Sequence, residues 1–136
     1  MIFSIDKMQE MLEKVAEEIP QEFYRELNGG IILLPEIKKS SRALGRGMYT
    51  LGEYIVSPSM GRYIAIYYGS FERLYGDSLS EEEMQEEIRD TLIHEFTHHL
   101  EDLAGENELE KEDERQLNMY NSKLKTNRFT RPRKIV

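Results

Sequence analysis

All three histidines of this 136-residue chain fall within six positions, in Thr91-Leu92-Ile93-His94-Glu95-Phe96-Thr97-His98-His99-Leu100. His94, Glu95 and His98 read H-E-x-x-H. On an α-helix, residues four apart stand one turn apart on one face. Two imidazoles so placed can bind one tetrahedral zinc ion, and the glutamate beside the first can reach a water on that ion. The chemistry this supports is metal-assisted hydrolysis, with Glu95 as general base.

Three fixed letters recur by chance, so the neighbours carry weight. Thr91, Leu92, Phe96 and Thr97 are uncharged, and Leu100 is apolar. With His94 at zero and about 100° per residue, His98 falls near 40°, Thr91 near 60° and Glu95 near 100°. Ile88, Leu92, Leu103, Phe96 and Leu100 fall between about 120° and 240°. The pattern predicts a helix with an apolar face beside a ligand face. His99 falls near 140°, at the margin of the apolar face. That angle points it away from a metal, towards a packing or supporting role.

A helix with these properties needs an ordered start, and Ser80 with Glu83 forms a capping box. Glu81 and Glu82 suit the positive end of the helix dipole. The expected helix runs to about Ala104, with Gly105 as its stop. Upstream, Met8, Met11, Leu12, Val15, Ala16 and Ile19 have helical spacing over about Asp6 to Ile19, and Pro20 stops that helix or starts the next. Phe23, Tyr24 and Leu27 predict a short second helix. Asn28-Gly29-Gly30 is a turn, and Ile31 to Leu34 reads as a buried strand. Gly47 to Val56 reads as a weaker strand interrupted by Gly52. Ser57 to Gly61 is a turn, and Arg62 to Tyr68 is the clearest strand, being β-branched and aromatic. Gly69 to Gly76 holds a turn or a short helix, and Arg115 to about Leu124 reads as a terminal helix.

The chain length predicts one domain, over residues 1–121, followed by a basic tail over 122–136. The tail holds six of the 18 basic residues and no acidic one, so residues 1–121 carry 12 basic against 26 acidic residues, a net of −14. A body this acidic argues against nucleic-acid binding. No apolar run approaches the roughly 20 residues that span a membrane. The start of the chain meets charge at once, so a cytoplasmic location is expected. There is no cysteine, so any zinc must be held by nitrogen and oxygen.

Two histidines leave zinc short of a protein ligand, and the third must come from chain that turns back after the helix. The donors beyond Gly105 are Glu106, Glu108, Glu110, Glu112, Asp113 and Glu114. Glu101 lies on the ligand face but a turn too far along. Spacing leaves the choice open.

With these residues in place, the chain resembles the small zincin-like metallopeptidases of bacteria, sometimes called minimal zincins. The resemblance is strongest over Gly61 to Leu117. It includes Gly61-Arg62-Tyr63-Ile64-Ala65-Ile66-Tyr67-Tyr68-Gly69-Ser70-Phe71 and the helix from Ile88 to His99. Members of that family often carry H-E-x-x-H-x-x-G-x-x-D, with the aspartate taken as third ligand. Here Glu101 holds the glycine position and Ala104 the aspartate position. Residues 101–110 look like an insertion, after which Glu112-Asp113 and Leu117 match the family's Asp-Asp pair and its following leucine.

The resemblance implies Asp113 as third ligand, with Glu106 and Glu112 as rivals. It also implies an α+β, zincin-like fold: a small mixed sheet packed on the long active-site helix, with flanking helices. The activity implied is zinc-dependent hydrolysis of a peptide or protein substrate, with Glu95 as base. In zincins an edge strand beside the cleft pairs with the substrate, and Met48 to Leu51 or Ile64 to Tyr68 are the candidates here. Tyr120 and Arg115 are candidate oxyanion donors. The alternative is a non-catalytic zinc-binding regulatory or interaction protein of the same fold.

Overall fold

The computed structural model describes residues 3–40 and 49–106. The first helix, α1 (Ile5–Glu18), starts where Ser4 caps it, its hydroxyl accepting from the Lys7 amide at 3.1 Å. Met8, Met11, Leu12 and Val15 are buried along one face. A single 3₁₀ turn (Gln21–Tyr24) follows Pro20 and buries Phe23.

Three strands come next: β1 (Gly30–Leu34), β2 (Gly52–Ser57) and β3 (Gly61–Tyr67). Their order is β1-β3-β2, with β1 parallel and β2 antiparallel to β3. The sheet is therefore mixed, and its central strand is the most aromatic and β-branched of the three. β2 and β3 form a hairpin in which Ser57 pairs with Gly61. Gly61 has φ +74°, the left-handed conformation such a hairpin needs after its turn. The Ser57 hydroxyl accepts from the amides of Ser59 and Met60 and closes the turn.

Helix α2 (Tyr68–Tyr75) follows β3 directly. The long helix α3 (Glu81–Glu106) begins with the expected capping box: the Ser80 amide donates to Glu83 at 3.0 Å and the Glu83 amide to the Ser80 hydroxyl at 3.1 Å. Its apolar face is buried as the angles require. Ile88, Leu92, Phe96 and Leu100 are fully buried and Leu103 nearly so. Each such side chain contributes roughly 1.5–3 kcal/mol relative to exposure. The face packs on α1 and the sheet, where Ile64 and Ile66 are fully buried. Arg89 ties α3 to α1 through two bonds to Glu18, at 2.7 and 2.8 Å.

The result is an α+β fold with a small mixed sheet against a long helix. Three expectations change. The first strand is half-buried along its length, because β1 is an edge with one neighbour. Gly52 begins β2 instead of interrupting a longer strand. Of the two forms expected after β3, it is the short helix that forms. Gly105 does not stop α3, which continues to Glu106; glycine weakens a helix without ending it unless it turns left-handed, and Gly105 does not. No helix among the described residues is long and apolar enough to cross a membrane.

Candidate metal centre and its cleft

α3 carries His94 and His98 on one exposed face, one turn apart. Their Nε2 atoms lie 3.2 Å from each other, with the rings nearly perpendicular. Two nitrogens each 2.0–2.1 Å from one tetrahedral centre must be about 3.3–3.4 Å apart. The pair therefore fits two corners of a zinc site within a few tenths of an ångström. Glu101 Oε1 lies 3.3 Å from His98 Nδ1. A carboxylate there favours the proton on Nδ1, which leaves the Nε2 lone pair aimed at His94. Glu101 thus sits behind a ligand, as its helical position requires.

Among the described residues, no group of three or more His, Cys, Asp or Glu is arranged to hold a metal. Asp113 and Glu112 lie outside the described residues, as do Arg115 and Tyr120. Glu106 is the last residue of α3.

Glu95 differs sharply from its neighbours, being only 4% exposed. Burial raises its pKa to about 7, the negative charge of Glu53 adds to the rise, and the backbone N–H of Tyr54 opposes it by donating to the carboxylate. β2 reaches α3 closely because Gly52 has no side chain. A Cβ there would lie 2.8 Å from Thr91 Cγ2, one turn before Glu95 on the helix. Thr91, expected near the ligand face, is instead fully buried under this strand.

An open cleft of about 920 Å³ runs between β2 and α3, bounded by Gly52, Glu53, Tyr54 and Val56 on one side and His94, Glu95 and His98 on the other. β2 is thus the edge strand beside His94 and His98. Ile64 to Tyr67 form the centre of the sheet, which removes them as the substrate-facing edge. Met48 lies outside the described residues, and Leu51 just precedes β2.

Sequence reasoning missed the side chains behind this wall. His99 is fully buried, with Nε2 2.7 Å from the Arg25 carbonyl and Nδ1 2.9 Å from the Tyr54 hydroxyl. Burial holds its pKa below the ordinary value, so the ring is neutral. Nε2–H donates to Arg25, and Nδ1 is left as an acceptor. The one proton of the Tyr54 hydroxyl is shared between His99 Nδ1 and Asp102 Oδ2, the latter at 3.0 Å. Arg62 Nε donates to the same Asp102 oxygen at 2.8 Å and, first among the causes, holds that carboxyl below its usual pKa. Beside Glu95, Glu53 accepts from Lys38 at 2.7 Å and from the Tyr67 hydroxyl at 2.6 Å. Burial works against ionisation of Glu53, but these bonds outweigh it and lower its pKa. Helical angles gave one signal for this cluster: Asp102 falls near 80°, between the ligands and His99.

The zincin-like metallopeptidase family matches residues 36–117, more than half of the chain, including β2, β3 and α3 around the cleft. The chain belongs to the zincin-like metallopeptidase family. Among solved structures, this zincin-like chain is similar to a conserved hypothetical protein from Thermus thermophilus. The two share 34% identity with a TM-score of 0.64, over 76% of this chain and all of that one. No curated protein matches it.

Proposed function

We propose that this zincin-like protein is a zinc-dependent peptidase. The observation that carries the reading is the pair of facing Nε2 atoms 3.2 Å apart, beside a buried carboxylate and an edge strand. His94 and His98 would hold the metal, with Asp113 as the third protein ligand. When bound there, zinc supplies Lewis acidity towards a water molecule and a peptide carbonyl.

The chain's own residues do the rest. Glu95 takes the proton of the attacking water and delivers it to the departing amine nitrogen. A pKa near 7 suits a group that must accept and then donate at neutral pH. The Tyr54 amide fixes the orientation of that carboxylate. The free side of β2 offers backbone donors and acceptors to an extended peptide, which would add to the sheet as a further strand. The substrate is accordingly a peptide or an extended segment of a protein.

Two measurements test this reading. Glu95→Gln keeps the shape of the side chain but cannot accept a proton, so zinc should stay bound while hydrolysis of a peptide library stops. Unchanged turnover would remove Glu95 as base. A wild-type protein that holds zinc and cuts nothing would favour the non-catalytic zinc-binding alternative. For the third ligand, Asp113→Ala should weaken zinc binding about 10-fold or more in competition with a chelator, and Glu106→Ala should leave it unchanged. The reverse result would transfer the role to Glu106.

A further inference from the structure

Tyr54 is held at both ends. Its backbone N–H donates to the Glu95 carboxylate, and its hydroxyl lies between His99 and Asp102. The two ends meet the same helix. Asp102, Glu95 and His99 fall near 80°, 100° and 140° on α3, so all three face β2. Arg62 on β3 completes the set by bonding Asp102 from the neighbouring strand. The Arg25 carbonyl anchors His99 from the far side.

This strip lies between the apolar face of α3 and its ligand face. The apolar face holds the sheet against the helix, but burial is non-directional and sets no register along the helix axis. Hydrogen bonds of 2.7–3.0 Å do set it. β2 has β3 alone as a strand neighbour in the sheet, so its placement against α3 depends on contacts of this kind.

We infer that Tyr54 is a positioning residue: clamped by His99, Asp102 and Arg62, it fixes the edge strand on α3 so that its own amide holds Glu95 and the free strand edge stands alongside the ligands. The geometry of the clamp is independent of activity. Its catalytic consequence rests on the peptidase reading above.

The test is hydrogen exchange of the backbone amide at position 54, measured on the ¹⁵N-labelled, metal-free chain. Tyr54→Phe keeps the ring and removes the hydroxyl. It should speed exchange at position 54 at least 10-fold while the amides of β1 keep their rates. Asp102→Ala should reproduce the effect from the helix side. Asp102→Asn keeps an oxygen for the Tyr54 hydroxyl and should stay within about 3-fold of wild type. Tyr24→Phe serves as control. It loses a comparable hydroxyl bond, 2.6 Å to the Ala16 carbonyl, away from the cleft, and should leave position 54 alone. Zinc affinity should stay within about 2-fold in the Tyr54 and Asp102 variants, because neither ligand is touched. Against a peptide that the wild type cuts, Tyr54→Phe should raise KM and lower kcat together.

Equal acceleration of amides throughout the chain, or none at position 54, overturns the inference. Local acceleration with unchanged KM and kcat overturns its catalytic part. Local acceleration in a protein that cuts no peptide keeps the clamp and sinks the peptidase reading instead.

Discussion

His98 and His99 are adjacent and of one residue type, yet the first stands half exposed on the open face of α3 and the second is sealed at 0% exposure against Tyr54 and Arg25. The same contrast separates His94, exposed, from Glu95, at 4%. One step along the helix turns the chain by about 100° and moves a side chain from one regime to the other. On the proposed reading, His94 and His98 can remain in solvent because a bound ion would supply their binding energy when it arrives. Glu95 and the residues around it would gain nothing from the ion directly. Their geometry must be set beforehand by burial and hydrogen bonds.

The sharpest way to break this contrast is to remove each histidine in turn. His98→Ala should lower zinc affinity about 100-fold or more, read by chelator competition. It should change the stability of the metal-free chain by less than about 0.5 kcal/mol. His99→Ala should do the opposite. It removes the bond to the Arg25 carbonyl and leaves a cavity, at a cost of roughly 3 kcal/mol in denaturant titration. A His99→Ala protein that loses zinc while keeping full stability would show that the two faces are not separate.

Glu95 puts a pH dependence on the sealed face. Its pKa is about 7 in the folded chain, against an ordinary 4.5. A carboxyl raised in this way favours the fold in its protonated form. Its contribution is full below about pH 4.5 and is lost as pH rises through 7, to a total on the order of 3 kcal/mol. Glu95→Gln carries no charge at any pH. The metal-free variant should match wild type near pH 4 and exceed it by about 2–3 kcal/mol at pH 8. Parallel stability curves for the two proteins would mean that Glu95 is solvated in the folded chain.

Periodicity made the open face legible. The pair His94 and His98, the adjacent Glu95, the apolar stripe from Ile88 to Leu103 and the capping box at Ser80 all depend on residues within a few turns of one another, and each appears where its spacing placed it. The sealed face was not legible, because its partners are far apart in the chain. Arg62 meets Asp102 across 40 positions, Tyr54 meets Asp102 across 48, and His99 meets Arg25 across 74. Local pattern carries no information about such pairs. Strand order was hidden for the same reason: nothing within Ile31 to Leu34 says that it pairs with β3 in parallel and ends as an edge. Gly105 misled because glycine is common just past a helix, and it takes a left-handed φ to make it a stop.

Two glycines sharpen the comparison at its smallest scale. Gly52 lies against the sealed face, where an added Cβ would meet Thr91 Cγ2 at 2.8 Å and Ile66 Cδ1 at 3.2 Å. Neither neighbour is free to move, since Thr91 is fully buried with its hydroxyl bonded to the Glu87 carbonyl, and Ile66 is core. Gly52→Ala should cost about 1–3 kcal/mol through overpacking. Gly105 lies near 20° on α3, the face of the ligands. It is exposed, its φ is not left-handed, and an added Cβ would meet nothing within 4 Å. Alanine there adds helix propensity without strain, so Gly105→Ala should stabilise the metal-free chain by roughly 0.5–1 kcal/mol. Thermal unfolding of the two variants reads both signs. Were Gly105 a left-handed helix stop, its substitution would destabilise, because alanine resists that conformation by about 1 kcal/mol or more. A loss in Gly105→Ala would therefore return the end of α3 to Ala104.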